Sequence, residues 1–84
     1  MYEILLESRA EKDLKRLPRD VYRRAVRAID GLAREPRPPG SRKLVGSDND
    51  WRVRVGDYRI IYEIIDPEHL VRIMFVRHRK DAYR

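Results

Sequence analysis

The chain contains no cysteine. This excludes disulfide frameworks and thiolate metal sites and makes a reducing cytoplasm the natural setting. No basic segment followed by an apolar run opens the sequence, so no secretory signal is expected. The longest apolar runs fall far short of the ~20 residues a membrane span needs, so no membrane partner is expected. Histidine occurs twice, and neither copy has other ligands at metal-binding spacing. Glycine occurs four times, and no glycine-rich phosphate loop or G-x-S-x-G element is present. Neither a metal nor a cofactor is therefore expected.

What the chain has in abundance is positive charge. Lys and Arg number 20 against 14 Asp and Glu, a net charge of +6, and arginine outnumbers lysine sixteen to four. Such a balance suits a polyanion or an acidic protein as partner. The planar fork of arginine matches phosphate, carboxylate and base edges. The 84 residues are expected to form a single domain, residues 1–84. A domain of that size buries roughly 60–65% of its unfolded surface, so an active site should be an open groove or a patch on a sheet.

Tyr2 to Glu7 reads as a first strand. Ser8-Arg9-Ala10-Glu11 has capping-box spacing, which predicts a helix from Ser8 to about Leu17. Pro18 opens a second helix. In it Tyr22, Ala25, Val26, Ile29, Leu32 and Ala33 make one apolar stripe, with Arg23, Arg24 and Arg27 mostly off it. The segment Glu35-Pro36-Arg37-Pro38-Pro39-Gly40-Ser41 is a stiff connection. Three strands follow, at about 51–56, 58–66 and 69–77, with turns at Gly56-Asp57 and Asp66-Pro67. The expected architecture is α+β, β-α-α-β-β-β: a small, mainly antiparallel four-stranded sheet with two helices on one face.

The tight turn sets the register. Residue 55 faces 58, 54 faces 59 and 52 faces 61, so Arg54 and Arg59 lie opposite each other with Arg52 beside them. Like charges placed so are unfavourable by a few tenths to about 1 kcal/mol. An anion between them would explain the arrangement. Extending the pairing puts 65 opposite 70, 63 opposite 72 and 59 opposite 76. One face then collects Val53, Val55, Tyr58, Ile60, Tyr62, Ile64, Val71, Ile73 and Phe75 as core. The other carries Arg52, Arg54, Arg59, Ile61, Glu63, Arg72, Met74 and Val76.

The three arginines fit a phosphate clamp. They also fit solvated side chains with acidic neighbours. The ending Arg77-His78-Arg79-Lys80-Asp81-Ala82-Tyr83-Arg84 holds the side chains a metal-free ribonuclease needs. Such an enzyme must activate a ribose 2′-hydroxyl, stabilise a phosphorane and protonate a 5′-oxygen. The same ending also fits a frayed basic terminus. His69 reads as a turn residue, and Trp51, Tyr58 and Tyr62 as packing residues.

Taken together, Arg52-Val53-Arg54-Val55-Gly56-Asp57-Tyr58-Arg59-Ile60-Ile61-Tyr62 and His78-Arg79-Lys80-Asp81-Ala82-Tyr83 resemble the RelE/ParE superfamily of toxins. The opening strand, the Ser-x-x-Glu helix start, the Leu-Pro break and the P-R-P linker match as well. The resemblance implies a type II toxin held by a cognate, RelB-like antitoxin. RelE-like members cut messenger RNA in the ribosomal A site without metal, whereas ParE-like members poison DNA gyrase. The tyrosine-containing ending resembles the RelE-like branch, and a ribosome-dependent endoribonuclease in the cytoplasm is the expectation.

Carried over by position, Arg59 stabilises the scissile phosphate, Arg79 acts at the phosphate or leaving group, and Tyr83 orients the attacked nucleotide. Arg52 and Arg54 stand where the family carries basic strand residues, often lysines. They bind RNA together with Lys80. Arginine stays protonated, so it cannot serve as general base. That leaves Tyr83, His78 or Lys80, of which His78 has the unperturbed pKa nearest neutrality. The extended register puts His78 beside the arginine face.

Overall fold

A computed structural model of the protein describes residues 1–81. Strand β1 (Glu3–Leu6) leads into helix α1 (Ser8–Lys15) and helix α2 (Arg19–Leu32). Then come β2 (Arg42–Lys43), β3 (Asp50–Val55), β4 (Tyr58–Ile65), a 3₁₀ turn (Asp66–Glu68) and β5 (Leu70–His78). The sheet order is β1-β5-β4-β3-β2, with β1 parallel to β5 and every other pair antiparallel. The α+β class is as expected, but the sheet has five strands rather than four. The additional strand, β2, has two residues and pairs Arg42 with Arg52 and Lys43 with Trp51.

Each element has a local cause. Ser8 is the first helical residue of α1 and not its cap. Glu7 takes the cap position without a side-chain bond, so the capping box does not form. Helix α2 starts after Pro18, which needs no partner for a missing N–H. Of its apolar stripe, Ala25, Ile29 and Leu32 are buried, whereas Tyr22 is 43% exposed. With Ile4, Leu6 and Val26 it lines an open apolar groove. Gly56 has φ +59°, which suits the first position of a two-residue hairpin loop and is strained for any residue with a Cβ.

The β3–β4 register is the expected one: Val55 faces Tyr58, Arg54 faces Arg59 and Arg52 faces Ile61. Between β4 and β5 the expectation holds only near the turn, where Ile65 faces Leu70 and Glu63 faces Arg72. A β-bulge then intervenes. Tyr62 faces Ile73 but Ile61 faces Phe75, so Met74 is the extra residue. From there on every β5 side chain lies on the face opposite to the one expected. Arg59 faces Arg77 and not Val76. Val76 enters the core at 3% exposure, and Phe75 moves to the open face beside Ile61.

The core lies between the helices and one sheet face. Ala10, Leu14, Ala25, Ile29 and Leu32 pack on Val55, Ile60, Tyr62, Ile64, Val71, Ile73 and Val76. Trp51 and Tyr58 pack at its margin, as expected of them. Beyond the end of β1, α1 runs along the bare edge of β5. There the Glu7 N–H donates to the Ile73 carbonyl at 2.9 Å and the Val76 N–H to the Asp13 carboxylate at 2.9 Å.

Candidate nucleic-acid interface

The sheet face turned away from the helices is graded by row. Residues paired across strands share a face, so the first row, nearest the hairpin, is Arg54–Arg59–Arg77. The second is Arg42–Arg52–Ile61–Phe75. The third is Asp50–Glu63–Arg72–Leu5. Cations thus crowd toward the Gly56-Asp57 turn and give way to apolar and then mixed charge. In the third row, Arg72 lies 3.7 Å from Glu63 and 3.6 Å from Glu7.

The structure brings Arg52, Arg54 and Arg59 together as the sequence predicts, and it adds Arg42 and Arg77. Arg59 is only 8% exposed, and its charge is embedded in the sheet surface between Arg54 and Arg77. Arg54 is exposed and Arg52 half-buried. Arg77 lays its guanidinium 5.3 Å from the Phe75 ring centroid and donates to Asp13 at 2.7 Å. Arg9 approaches the same ring at 4.9 Å. An open groove of about 510 Å³ runs over the second row, between Arg42, Lys43, Arg52, Leu44, Val45, Ile61 and Phe75. Its floor is apolar and its rim cationic, which suits a chain that alternates bases and phosphates.

The tail is pinned at the hairpin. The Arg79 N–H donates to the Asp57 carbonyl at 2.7 Å, and its Nε lies 4.0 Å from the Asp57 carboxylate. Both of those side chains are well exposed, so this ion pair holds Arg79 weakly and leaves it reachable. Lys80 is exposed, and its N–H donates to His78 Nδ1 at 3.3 Å. His78 does not lie beside the arginine face. The bulge turns it to the helix side, opposite Tyr58, where the two rings meet edge-on at 5.2 Å and 84°. Tyr83 lies outside the described residues.

Two residues escaped the sequence reading for separate reasons. Arg77 needed the bulge at Met74. Arg42 needed a two-residue strand, for which the only signal was its place between the proline-rich connection and a glycine turn. His69, expected as a turn residue, caps the 3₁₀ turn at φ +49° and stacks on Tyr2 at 5.1 Å. Tyr62, expected as packing, is fully buried and donates to the Pro36 carbonyl at 2.7 Å. Burial pushes its hydroxyl up to about 12. Among the described residues no cluster of His, Asp and Glu could hold a metal ion, and no helix is long and apolar enough to cross a membrane.

The family model described as "ParE toxin of type II toxin-antitoxin system, parDE" matches residues 4–83. Toxin RelG of Mycobacterium tuberculosis is 36% identical over 99% of this chain and 97% of its own length. Toxin RelE of the same organism is 31% identical over 99% of this chain and 87% of its own. Among solved structures, the archaeal RelE–RelB complex from Pyrococcus horikoshii superposes with a TM-score of 0.84 at 31% identity. That match covers 96% of this chain and 98% of the other.

Proposed function

The chain belongs to the RelE/ParE superfamily of type II toxin–antitoxin toxins, RelE-like, and we propose that it is a ribosome-dependent endoribonuclease that cuts messenger RNA in the A site. The observation that carries this reading is the row Arg54–Arg59–Arg77, with Arg79 just beyond it at the Gly56-Asp57 turn. Arg77 has a counter-ion in Asp13, but Arg54 directly opposite Arg59 is an unfavourable pairing that a bound anion relieves. In RNA cleavage by an internal nucleophile, the 2′-oxygen bonds to phosphorus as the bond to the 5′-oxygen breaks. The phosphorane between those states carries more charge than the ground-state phosphate. Fixed guanidinium groups aimed at it stabilise the transition state preferentially.

In this reading Arg59 grips the scissile phosphate. Its burial fixes its position, so little reorganises during the reaction. Arg79 acts at the phosphate or leaving group. Arg52, Arg54 and Lys80, joined by Arg42, guide the backbone along the groove, and Tyr83 orients the attacked nucleotide. With His78 facing Tyr58 on the helix side, its part falls to shaping the tail turn. Proton removal from the 2′-hydroxyl is then assigned to Tyr83 or Lys80. The partner in restraint is a RelB-like antitoxin, and the open apolar groove at Tyr22 offers it an amphipathic seat.

The test is induction of the toxin without antitoxin, with RNA 3′ ends mapped across translating ribosomes. New ends at A-site codons are expected. Arg59→Ala and Arg79→Ala should each lower the cleavage rate by about 10² or more, the scale of losing one transition-state donor, with circular dichroism unchanged. Intact messages after induction would sink the reading. Intact messages with trapped DNA breaks would favour the ParE-like alternative, a gyrase inhibitor without nuclease activity. That second reading is kept because the matching family model is the ParE one.

A further inference from the structure

We propose that Asp13, on helix α1, is a positioning residue that presents Arg77 to the RNA phosphate, an inference that rests on the arginine rows being the RNA site. Asp13 is far from the hairpin in sequence, yet its side chain is only 10% exposed and sits at the edge of β5. One carboxylate oxygen, Oδ2, accepts both the Val76 N–H at 2.9 Å and Arg77 Nη1 at 2.7 Å. The first contact replaces the strand that β1, ending at Leu6, does not supply. The second fixes where the guanidinium lies.

The way Arg77 is held shows what it is held for. Its second bond, to the Val76 carbonyl at 3.2 Å, also leaves from Nη1. Both hydrogens of that nitrogen are thus committed to the protein. Among the described residues, no bond leaves from Nε or Nη2. That edge is the fork that binds phosphate through two parallel hydrogen bonds. The Phe75 ring beneath the guanidinium sets its plane. Arg77 keeps 25% exposure, enough for an anion to reach the fork. A carboxylate that merely neutralised the third arginine could sit anywhere near it. One that takes Nη1 alone orients the remaining edge.

The discriminating experiment is a double-mutant cycle on binding of a non-cleavable 2′-O-methyl oligoribonucleotide, read by fluorescence anisotropy over a salt series. Asp13→Asn is close in shape, keeps an acceptor for the Val76 N–H and raises the net charge. If charge alone mattered, it would tighten RNA binding. Positioning predicts the opposite: affinity falls about three- to tenfold, and the slope of log affinity against log salt drops by about 1, as for loss of one phosphate contact. Arg77→Ala should do the same, and the double variant should be no weaker than Arg77→Ala.

Arg77→Lys keeps the charge and a donor for Asp13 but loses the fork. It should weaken binding as Arg77→Ala does, and it tests the idea even if Asp13→Asn fails to fold. Unchanged or tighter binding by a folded Asp13→Asn, additive losses in the double variant, or full affinity in Arg77→Lys would each overturn the proposal. So would absence of oligonucleotide binding by the unsubstituted chain. Binding that obeys the cycle while messages on ribosomes stay uncut overturns only the nuclease reading.

Discussion

Tyr62 shows how a single side chain ties the connection between helices and sheet to the core. Its ring is fully buried on the helix-facing side of β4, and its hydroxyl reaches the carbonyl of buried Pro36. Ionising it inside the protein is unfavourable, chiefly because burial strips the charge of water, so its pKa stands at about 12 against 10.0 in an open chain. The unfolded chain therefore gives up this proton first as the solution turns alkaline. Stability from this group is complete below pH 10 and disappears as pH rises toward 12. The two-unit gap corresponds to about 2–3 kcal/mol. Urea unfolding of Tyr62→Phe should show the alkaline loss reduced by that amount. Near neutrality the same variant should be about 1–3 kcal/mol less stable, because the Pro36 carbonyl loses its donor. Parallel pH curves for the two proteins would contradict the assignment.

At the scale of elements, the hairpin and the bulge divide the open face between them. The hairpin sets Arg54 against Arg59, an arrangement unfavourable for folding. Arg54→Thr should raise stability by a few tenths to about 1 kcal/mol in a urea melt while weakening growth inhibition. A loss of stability would mean that the facing arginines do not oppose folding. The register of this hairpin was readable in the sequence because Gly56-Asp57 fixes it and every later pair follows by counting. Counting back from Asp66-Pro67 worked equally well until Met74. It failed there because Ile73, Met74, Phe75 and Val76 are all apolar, so alternation is satisfied with or without an extra residue. That is why alternation alone hides Arg77 and places His78 on the wrong face. The helix begins at Ser8 as the spacing predicts, but Glu7 and not Ser8 takes the cap position. Strand β2 is too short to carry a period at all.

Across the whole molecule, distant segments meet at one corner. Asp66, between β4 and β5, accepts from Arg37 of the proline-rich connection at 2.8 Å and from the Tyr2 hydroxyl at 2.6 Å. Arg37 also lies 5.2 Å from the Trp51 ring centroid. The Arg37 guanidinium, and then Tyr2, hold the Asp66 carboxyl below its ordinary range. The unfolded chain takes up this proton first, so the stability that the corner provides is present above the ordinary 3.8 and fades as pH falls through the lowered value. Asp66→Asn should flatten the acid limb of the unfolding curve, and because Asp66 also raises the Tyr2 hydroxyl it should soften the alkaline limb as well. An unchanged acid limb would assign it to other carboxylates.

The parallel pairing of β1 with β5 has one more consequence, which concerns synthesis. Strand β1 is made before its partner β5, with every other element of the sheet between them. The arginine rows span three or four strands and close only when β5 is complete. Pairings so far apart along the chain form late. The arginine surface is therefore assembled late in folding, after the strands on either side of β5 have waited for it.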